Sequence, residues 1–383
     1  MRFSRYLSIK PLLKHSSLFL FGPRQTGKTS YLKEIFPTAK FYNLLDQRTF
    51  RQLSAYPEEL RQTLNKTDRL VIVDEVQKLP VLLDEVQDLI EQDKELRFIL
   101  TGSSARKLMS GRANLLGGRA LLCKMHPLVY PEFDTHDLDR RLCFGSLPAV
   151  YLSEIPEELL DAYAGTYLRE EIQAEGIARN IGSFARFLQV AALTNGQVVN
   201  FSKVGSDAQV APRTVQNYYE VLTDTLIGTL LPPFQLKNTR KAISTPKFYF
   251  FDIGVVNSLK GQFSIAPKTA EYGQALEHLI FCELQAYLDY NRFKNKLSFW
   301  RTHTGLEVDF IVGNSLAIEV KASARVRDTD LSPLRTLSAE TKLSQRLVVS
   351  NEPLERITSD GIRIMPVESF LTNLWSDKFS RDL

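Results

Sequence analysis

The chain has 383 residues, 44% of them hydrophobic, enough to bury a core in each of two or three domains. Its net charge of +4, from 48 Lys and Arg against 44 Asp and Glu, permits a nucleic-acid partner without requiring one. Cys123, Cys143 and Cys282 have neither disulfide-framework nor zinc-site spacing, so a reducing, cytoplasmic compartment is expected. No uninterrupted apolar run reaches the roughly 18 residues of a spanning helix, and no membrane partner is expected.

Residues 1–16 are basic and partly apolar and read as an amphipathic leading helix, not a signal peptide. "SLFLF" then reads as a buried strand that runs into "GPRQTGKT" and a helix-compatible stretch. This is the full G-x-x-x-x-G-K-[ST] pattern between a strand and a helix. Its glycines, Gly22 and Gly27, let backbone amides curl inward around phosphate oxygens. Lys28 can reach the β and γ phosphates, the Thr29 hydroxyl can ligate magnesium, and the helix from Thr29 adds its positive end. The nucleotide-binding residues are therefore Gly22, Pro23, Arg24, Gln25, Thr26, Gly27, Lys28, Thr29 and Ser30.

"AKFYNLLD" (39–46) reads as the next strand. "RLVIVDEVQKLP" is a buried strand ending in Asp74 and Glu75, where Asp74 would hold magnesium and Glu75 would orient or deprotonate the attacking water. "LRFILTGSSARKL" ends at the same sheet edge. There Thr101 can act as a γ-phosphate sensor, although hydroxyls at such a point serve equally as helix caps. Arg112 and Arg119 follow in a glycine-rich stretch, and Arg119 is the better candidate to approach a phosphate, in its own or a neighbouring subunit. Helical runs such as "PEELRQTLNK" and "PVLLDEVQDLIEQD" separate the strands and imply an α/β parallel sheet with the nucleotide at its carboxyl edge. "LNKTD" satisfies the guanine-reading pattern, but it precedes the acidic strand and cannot face a base, so ATP is expected over GTP.

From residue 147 to 177 the apolar period is mostly helical. Residues 182–230 spell helix, polar break, helix, a turn at "VAP" and a third helix beginning at Pro212. Val215, Tyr218, Tyr219 and Leu222 would line its buried side, leaving Arg213, Thr214, Gln216 and Asn217 near its start. That layout suits a winged helix-turn-helix reading duplex DNA and equally a packing module of the same shape. Arg240, Lys241 and Lys247 form a basic cluster compatible with a solvated hairpin, and Asp252 can cap the helix after "KFYFFD".

In the last third, Glu277 lies on a long helix, Asp309 within "GLEVDFIVG", and Glu319 and Lys321 two apart in "SLAIEVKAS". Two carboxylates converging from adjacent strands can hold a divalent metal, with Lys321 stabilising charge and Glu277 completing the set. Charges inside apolar runs cost energy unless paired or used.

Taken together, "GPRQTGKT", "VIVDEVQ", "LTGSSARKL", "GGR", "YLREEI", "KFYFFDIGV", "GLEVDFIV" and "AIEVKAS" resemble a family of bacterial and archaeal ATPases over nearly the whole chain. The resemblance implies an AAA+-like P-loop domain over 1–135, a helical linker or lid over 136–180, a winged helix-turn-helix over 181–255 and a domain resembling restriction-endonuclease-like nucleases over 256–383. It matches Asp309, Glu319 and Lys321 to that fold's acidic pair and lysine and Glu277 to its helical carboxylate, with Val308 in place of the usual proline. The expected activity is magnesium-dependent ATP hydrolysis coupled to DNA or partner binding, with homo-oligomers as a further expectation. The rivals are an ATP-regulated metal-dependent nuclease and a nucleotide-controlled assembly switch.

Overall fold

The computed structural model describes residues 3–104, 115–168, 181–235 and 245–379. Arg112, Arg240, Lys241, most of "YLREEI" and the proposed helix start after Ser104 lie outside the described residues. The chain divides into two compact units, one of Ser4–Pro127 with Asp224–Ile227, the other of Leu128–Thr223 and Gly228–Leu383 with Met1–Phe3.

The smaller unit is built on a five-stranded sheet of order β2-β3-β4-β1-β5, formed by β1 (Ser17–Phe21), β2 (Lys40–Asn43), β3 (Leu70–Asp74), β4 (Arg97–Gly102) and β5 (Ala120–Lys124). Every pairing is parallel. β1 and β3 read as continuous apolar runs because helices cover a parallel sheet on both faces. On one face Phe19, Phe21, Val71, Val73, Phe98 and Leu100 form a core with Leu82, Leu83, Val86 and Leu89 of the helix Leu82–Gln92.

Three local readings need correction. The leading helix shrinks to one turn, Lys10–Leu13, because Pro11 starts a helix but cannot sit inside one. "PEELRQTLNK" likewise gives only Glu59–Gln62. "ALLCK", read as part of a glycine-rich segment, is the edge strand β5, a short apolar run that its glycine neighbours mask.

The larger unit carries helices Leu138–Phe144, Pro148–Tyr151 and Pro156–Ala162, the last running into a wider turn over Tyr163–Tyr167. Next come helices Ile181–Leu193, Phe201–Ala208 and Pro212–Asp224 and an antiparallel pair, β6 (Gly228–Leu231) with β7 (Lys247–Phe250). Phe184, Phe187, Tyr218, Tyr219 and Phe248 pack their rings together and fix this group. Val215, Tyr218, Tyr219 and Leu222 are buried and Arg213, Gln216 and Asn217 exposed, as the helical period requires.

Asp252 caps the helix Ile253–Lys260, accepting from the Gly254 and Val255 amides and also from Ser146 N–H at 2.7 Å. The 21-residue helix Ala270–Tyr290 follows. A mixed six-stranded sheet then has the order β12-β13-β11-β10-β9-β8, from β8 (Leu297–Arg301), β9 (Glu307–Val312), β10 (Leu316–Lys321), β11 (Gln345–Ser350), β12 (Arg356–Ile357) and β13 (Arg363–Pro366). β8-β9-β10 form an antiparallel meander and β11 joins β10 in parallel after the helix Ser332–Glu340. Among the described residues no helix is long and apolar enough to cross a membrane.

Candidate functional site

In the smaller unit β1 ends at Phe21 and the chain turns at once into the phosphate loop. Gly22 has no substitute there, since a Cβ would stand 2.3 Å from the Met125 carbonyl oxygen at the end of β5. Gly27 caps the helix Lys28–Ile35 at φ 92°, in the region that favours glycine. The Thr26 hydroxyl donates to the Pro23 carbonyl at 2.9 Å and ties the loop across its width. Lys28 is buried, its Nζ donating to the carbonyls of Gly22 at 2.6 Å and Pro23 at 3.0 Å, which anchors its charge inside the loop. Arg24 is half-buried, while Gln25 and Ser30 are exposed.

The Thr29 hydroxyl donates to Asp74 Oδ2 at 2.7 Å, and the Thr101 hydroxyl donates to Asp74 Oδ1. One carboxylate at the end of β3 thus links the helix after the phosphate loop to the end of β4. Glu75 follows at φ 64°, a left-handed conformation uncommon outside glycine, which sends the chain into the turn Val76–Lys78. Its amide donates to Thr101 Oγ1 at 3.3 Å, and its carboxylate accepts from Gln77 Nε2 at 2.5 Å. Gln77 Nε2 also reaches Ser103 Oγ at 3.3 Å, and Gly102 makes room for it, because a Cβ there would lie 2.4 Å from Gln77 Oε1. Gln77 escaped sequence reasoning; its place two residues after Glu75 was the available signal.

Lys28, Thr29, Asp74, Glu75 and Thr101 therefore gather at the carboxyl edge of the sheet. Arg119 does not join them. The register sets Ser17 beside Ala120 and Phe21 beside Lys124, so Arg119 lies at the amino edge, about 15 Å along the strand from the loop. Its guanidinium pairs with Glu91 at 2.8 Å. Asn65 and Asp68 of "LNKTD" precede β3 at that same amino edge, away from any base at the loop.

The second candidate site lies in the larger unit. One residue past the last pair of the β9–β10 ladder, Phe310 opposite Ile318, stand Asp309 and Glu319. Asp309 Oδ2 accepts from the Val320 amide at 2.8 Å, and Lys321 Nζ donates to Glu319 Oε1 at 2.5 Å. Glu319 Oε2 is buried with no hydrogen-bond partner among the described residues. Burial, then the neighbouring Glu319 and Glu277 carboxylates, push Asp309 well above the usual carboxylate range. Burial raises Glu319 to about 7 against the pull of Lys321.

Lys247 corrects the solvated-hairpin reading. It is 1% exposed, and its Nζ lies 3.0 Å from Glu277 Oε1, 2.5 Å from Glu307 Oε1 and 3.9 Å from Asp309 Oδ1. Burial works to depress its pKa, but Glu277, Asp309 and Glu307 outweigh that and leave it raised. The Tyr249 hydroxyl also donates to Glu277 Oε1, at 2.5 Å. Among the described residues no group of three or more His, Cys, Asp or Glu has its donors arranged around a common metal position. Lys247, Tyr249 and Glu307 were missed as site residues; Glu307 sits two residues before Asp309, and a lysine opening an apolar strand was the signal for Lys247. His278, fully buried, uses both ring nitrogens, with Asn195 at 3.1 Å and the Phe250 carbonyl at 2.6 Å.

Comparison with known families agrees with this division. Residues 14–134 match the AAA domain family, 135–265 match a domain of unknown function (DUF8612) and 272–370 another (DUF4143). An uncharacterized protein of Mycobacterium tuberculosis is 24% identical over 365 residues, covering 93% of this chain and 81% of that protein. One of Haemophilus influenzae is 21% identical over 329 residues, covering 77% and 78%. Domain III of the Thermotoga maritima replication initiation protein DnaA is 16% identical over 51% of this chain and 84% of its own, with a TM-score of 0.23, too low to bear on the fold. The smaller unit is an AAA+-like P-loop domain.

Proposed function

We propose that the chain is a magnesium-dependent ATPase, converting ATP and water to ADP and phosphate, with turnover coupled to duplex DNA through residues 181–255. The observation that carries the reading is the Thr29–Asp74–Thr101 bridge, which places a hydroxyl and a carboxylate together at the mouth of a loop with a buried lysine. These donors fit magnesium and a nucleotide triphosphate: Thr29 and Asp74 would hold the ion, and the loop residues Gly22 to Ser30 the phosphates. The bound ion would supply charge neutralisation between phosphate oxygens. Lys28 adds fixed positive charge, and Thr101 holds Asp74 in place. Glu75, oriented by Gln77, accepts a proton from the attacking water as its oxygen bonds to phosphorus and the bond to ADP breaks. Arg119 reaches a phosphate only across a contact between copies, so a role for it requires a homo-oligomer.

Support for the DNA coupling is the three-helix group with its hairpin, winged-helix-like in order, and the exposed Arg213, Gln216 and Asn217 on its third helix. The test is phosphate release by the full chain with and without duplex DNA. The expected result is a faster rate with DNA, a stimulation lost in Arg213→Ala/Gln216→Ala while the DNA-free rate stands. No DNA binding and no stimulation would remove the coupling, and ATP-dependent assembly with negligible turnover would favour a switch.

A second reading is favoured by the buried Glu319 Oε2 beside Asp309, an oxygen with no partner among the described residues. Its donor chemistry suits a divalent cation. A restriction-endonuclease-like nuclease would hold the ion on Glu277, Asp309 and Glu319, with Lys321 steadying the developing charge.

A further inference from the structure

Lys247 opens β7, yet its ammonium is buried against carboxylates of a different sheet and helix: Glu277 from Ala270–Tyr290, and Glu307 and Asp309 from β9. The ammonium lies within hydrogen-bond distance of Glu277 and Glu307 and within ion-pair distance of Asp309, with Arg301 on the far oxygen of Glu307 at 3.1 Å. A cleft of about 960 Å³ opens onto this group, lined among others by Lys247, Glu277, Glu307, His303 and, from the helix Pro212–Asp224, Gln216. Next to it Glu319, 2% exposed and in electrostatic contact with both Asp309 and Glu277, keeps one oxygen without a partner among the described residues.

We propose that Lys247 is a tethered cation of the carboxylate site: its ammonium holds the position between Glu277, Glu307 and Asp309, and a divalent cation binds there only when that ammonium is gone. The inference rests on the second reading above, which places a cation on Glu277, Asp309 and Glu319; Lys247 touches two of those three and adds Glu307. Like charges in a buried cluster repel steeply. One ammonium relieves that repulsion at the cost of a single charge, and a metal entering beside it would face a fixed positive centre within hydrogen-bond distance of two of its ligands. Without the ammonium, Glu277, Glu307 and Asp309 lose the one charge they share, leaving Arg301 on Glu307 and Lys321 near Asp309, and the cleft supplies a path for an ion. Because Lys247 begins the hairpin strand that follows the three helices, the state of the carboxylate site is tied to the seating of that strand.

The experiment counts Mn²⁺ bound by the nucleotide-free full chain, using electron paramagnetic resonance to read free ion, for the wild type, Lys247→Met, Lys247→Gln, Lys247→Arg and Lys247→Met/Glu277→Gln. Supercoiled DNA is present in parallel tubes to read nicking. The expected result is one further Mn²⁺ per chain in Lys247→Met and Lys247→Gln, with none gained in Lys247→Arg or the double variant. Equal Mn²⁺ binding by the wild type and folded Lys247→Met would overturn the proposal, as would nicking by the wild type that depends on Asp309, since the site would then take metal with the lysine in place. Failure of both neutral variants to fold even with Mn²⁺ present would also overturn it, making Lys247 a structural brace. A further Mn²⁺ without any nicking would leave the tethered cation standing and remove the nuclease reading instead.

Discussion

Thr29 and Asp74, 45 positions apart in the chain, are joined by a hydrogen bond of 2.7 Å across the mouth of the phosphate loop. Both lie at carboxyl ends of parallel strands or in the helix that follows one, so the sheet itself sets their separation. Asp74→Asn keeps the shape and removes the charge. It is expected to lower kcat for ATP hydrolysis on the order of 100-fold, the scale for losing one preorganised electrostatic partner. Steady-state phosphate release checks this, and an unchanged kcat would detach Asp74 from the ion.

Gln77 offers a finer test. Its amide fixes Glu75 at 2.5 Å, and Gly102 leaves it space. Gln77→Ala is expected to lower kcat roughly tenfold with little change in KM, because a base displaced by about an ångström loses alignment with its water. Gly102→Ala, whose methyl would meet Gln77 Oε1 at 2.4 Å, should do the same. A rise in kcat in either variant would make Gln77 a restraint on Glu75 and not its support.

The order in which these features could be read from sequence has a physical basis. The phosphate loop and the acidic strand end were legible because backbone curvature, a buried strand and charge placement each leave a local pattern, at Gly22, Gly27 and Asp74. Asp309, Glu319 and Lys321 were legible as a group because charges within apolar strands stand out. Lys247 left only the signal of a lysine opening an apolar strand, because its partners Glu277 and Glu307 lie 30 and 60 positions later and nothing within β7 encodes them. The place of Arg119 was hidden for the opposite reason. Its glycine-rich neighbours hid the edge strand β5, and only the register against β1 shows which end of the sheet it occupies.

A buried ion pair ties together the larger unit. Arg141 and Glu283 bond with side chains 3% and 1% exposed, and Glu283 also accepts from Trp375 Nε1 at 2.6 Å and the Tyr130 amide at 3.2 Å. Removing one partner strands the other charge out of water. Arg141→Ala or Glu283→Ala is therefore expected to destabilise by about 3–5 kcal/mol, and Arg141→Met/Glu283→Leu by less than the sum of the single losses. Denaturant unfolding of the set checks it, and additive losses would show that the pair carries no coupling.

Asp252 gives a pH dependence of definite sign. Burial raises it to about 6, against the amides of Ser146, Val255 and Gly254 that favour its ionised form. The folded chain then holds a proton that the unfolded chain, titrating near 3.8, has lost. Its contribution is present below that value and is lost as pH rises through about 6, by about 3 kcal/mol at most. Asp252→Asn removes this dependence while keeping a cap oxygen. The stability of the wild type relative to the variant should fall between about pH 4 and 6, and a constant difference would mean that Asp252 stays ionised throughout.

The most direct test of the central claim is phosphate release from ATP by the full chain, with and without magnesium, beside Lys28→Ala and Glu75→Gln. The expected result is turnover that requires magnesium, is absent from Lys28→Ala together with ATP binding, and is absent from Glu75→Gln while ATP stays bound. Turnover that survives in Glu75→Gln, or ATP binding that survives intact in Lys28→Ala, would contradict the assignment of this loop and strand end as the site of hydrolysis.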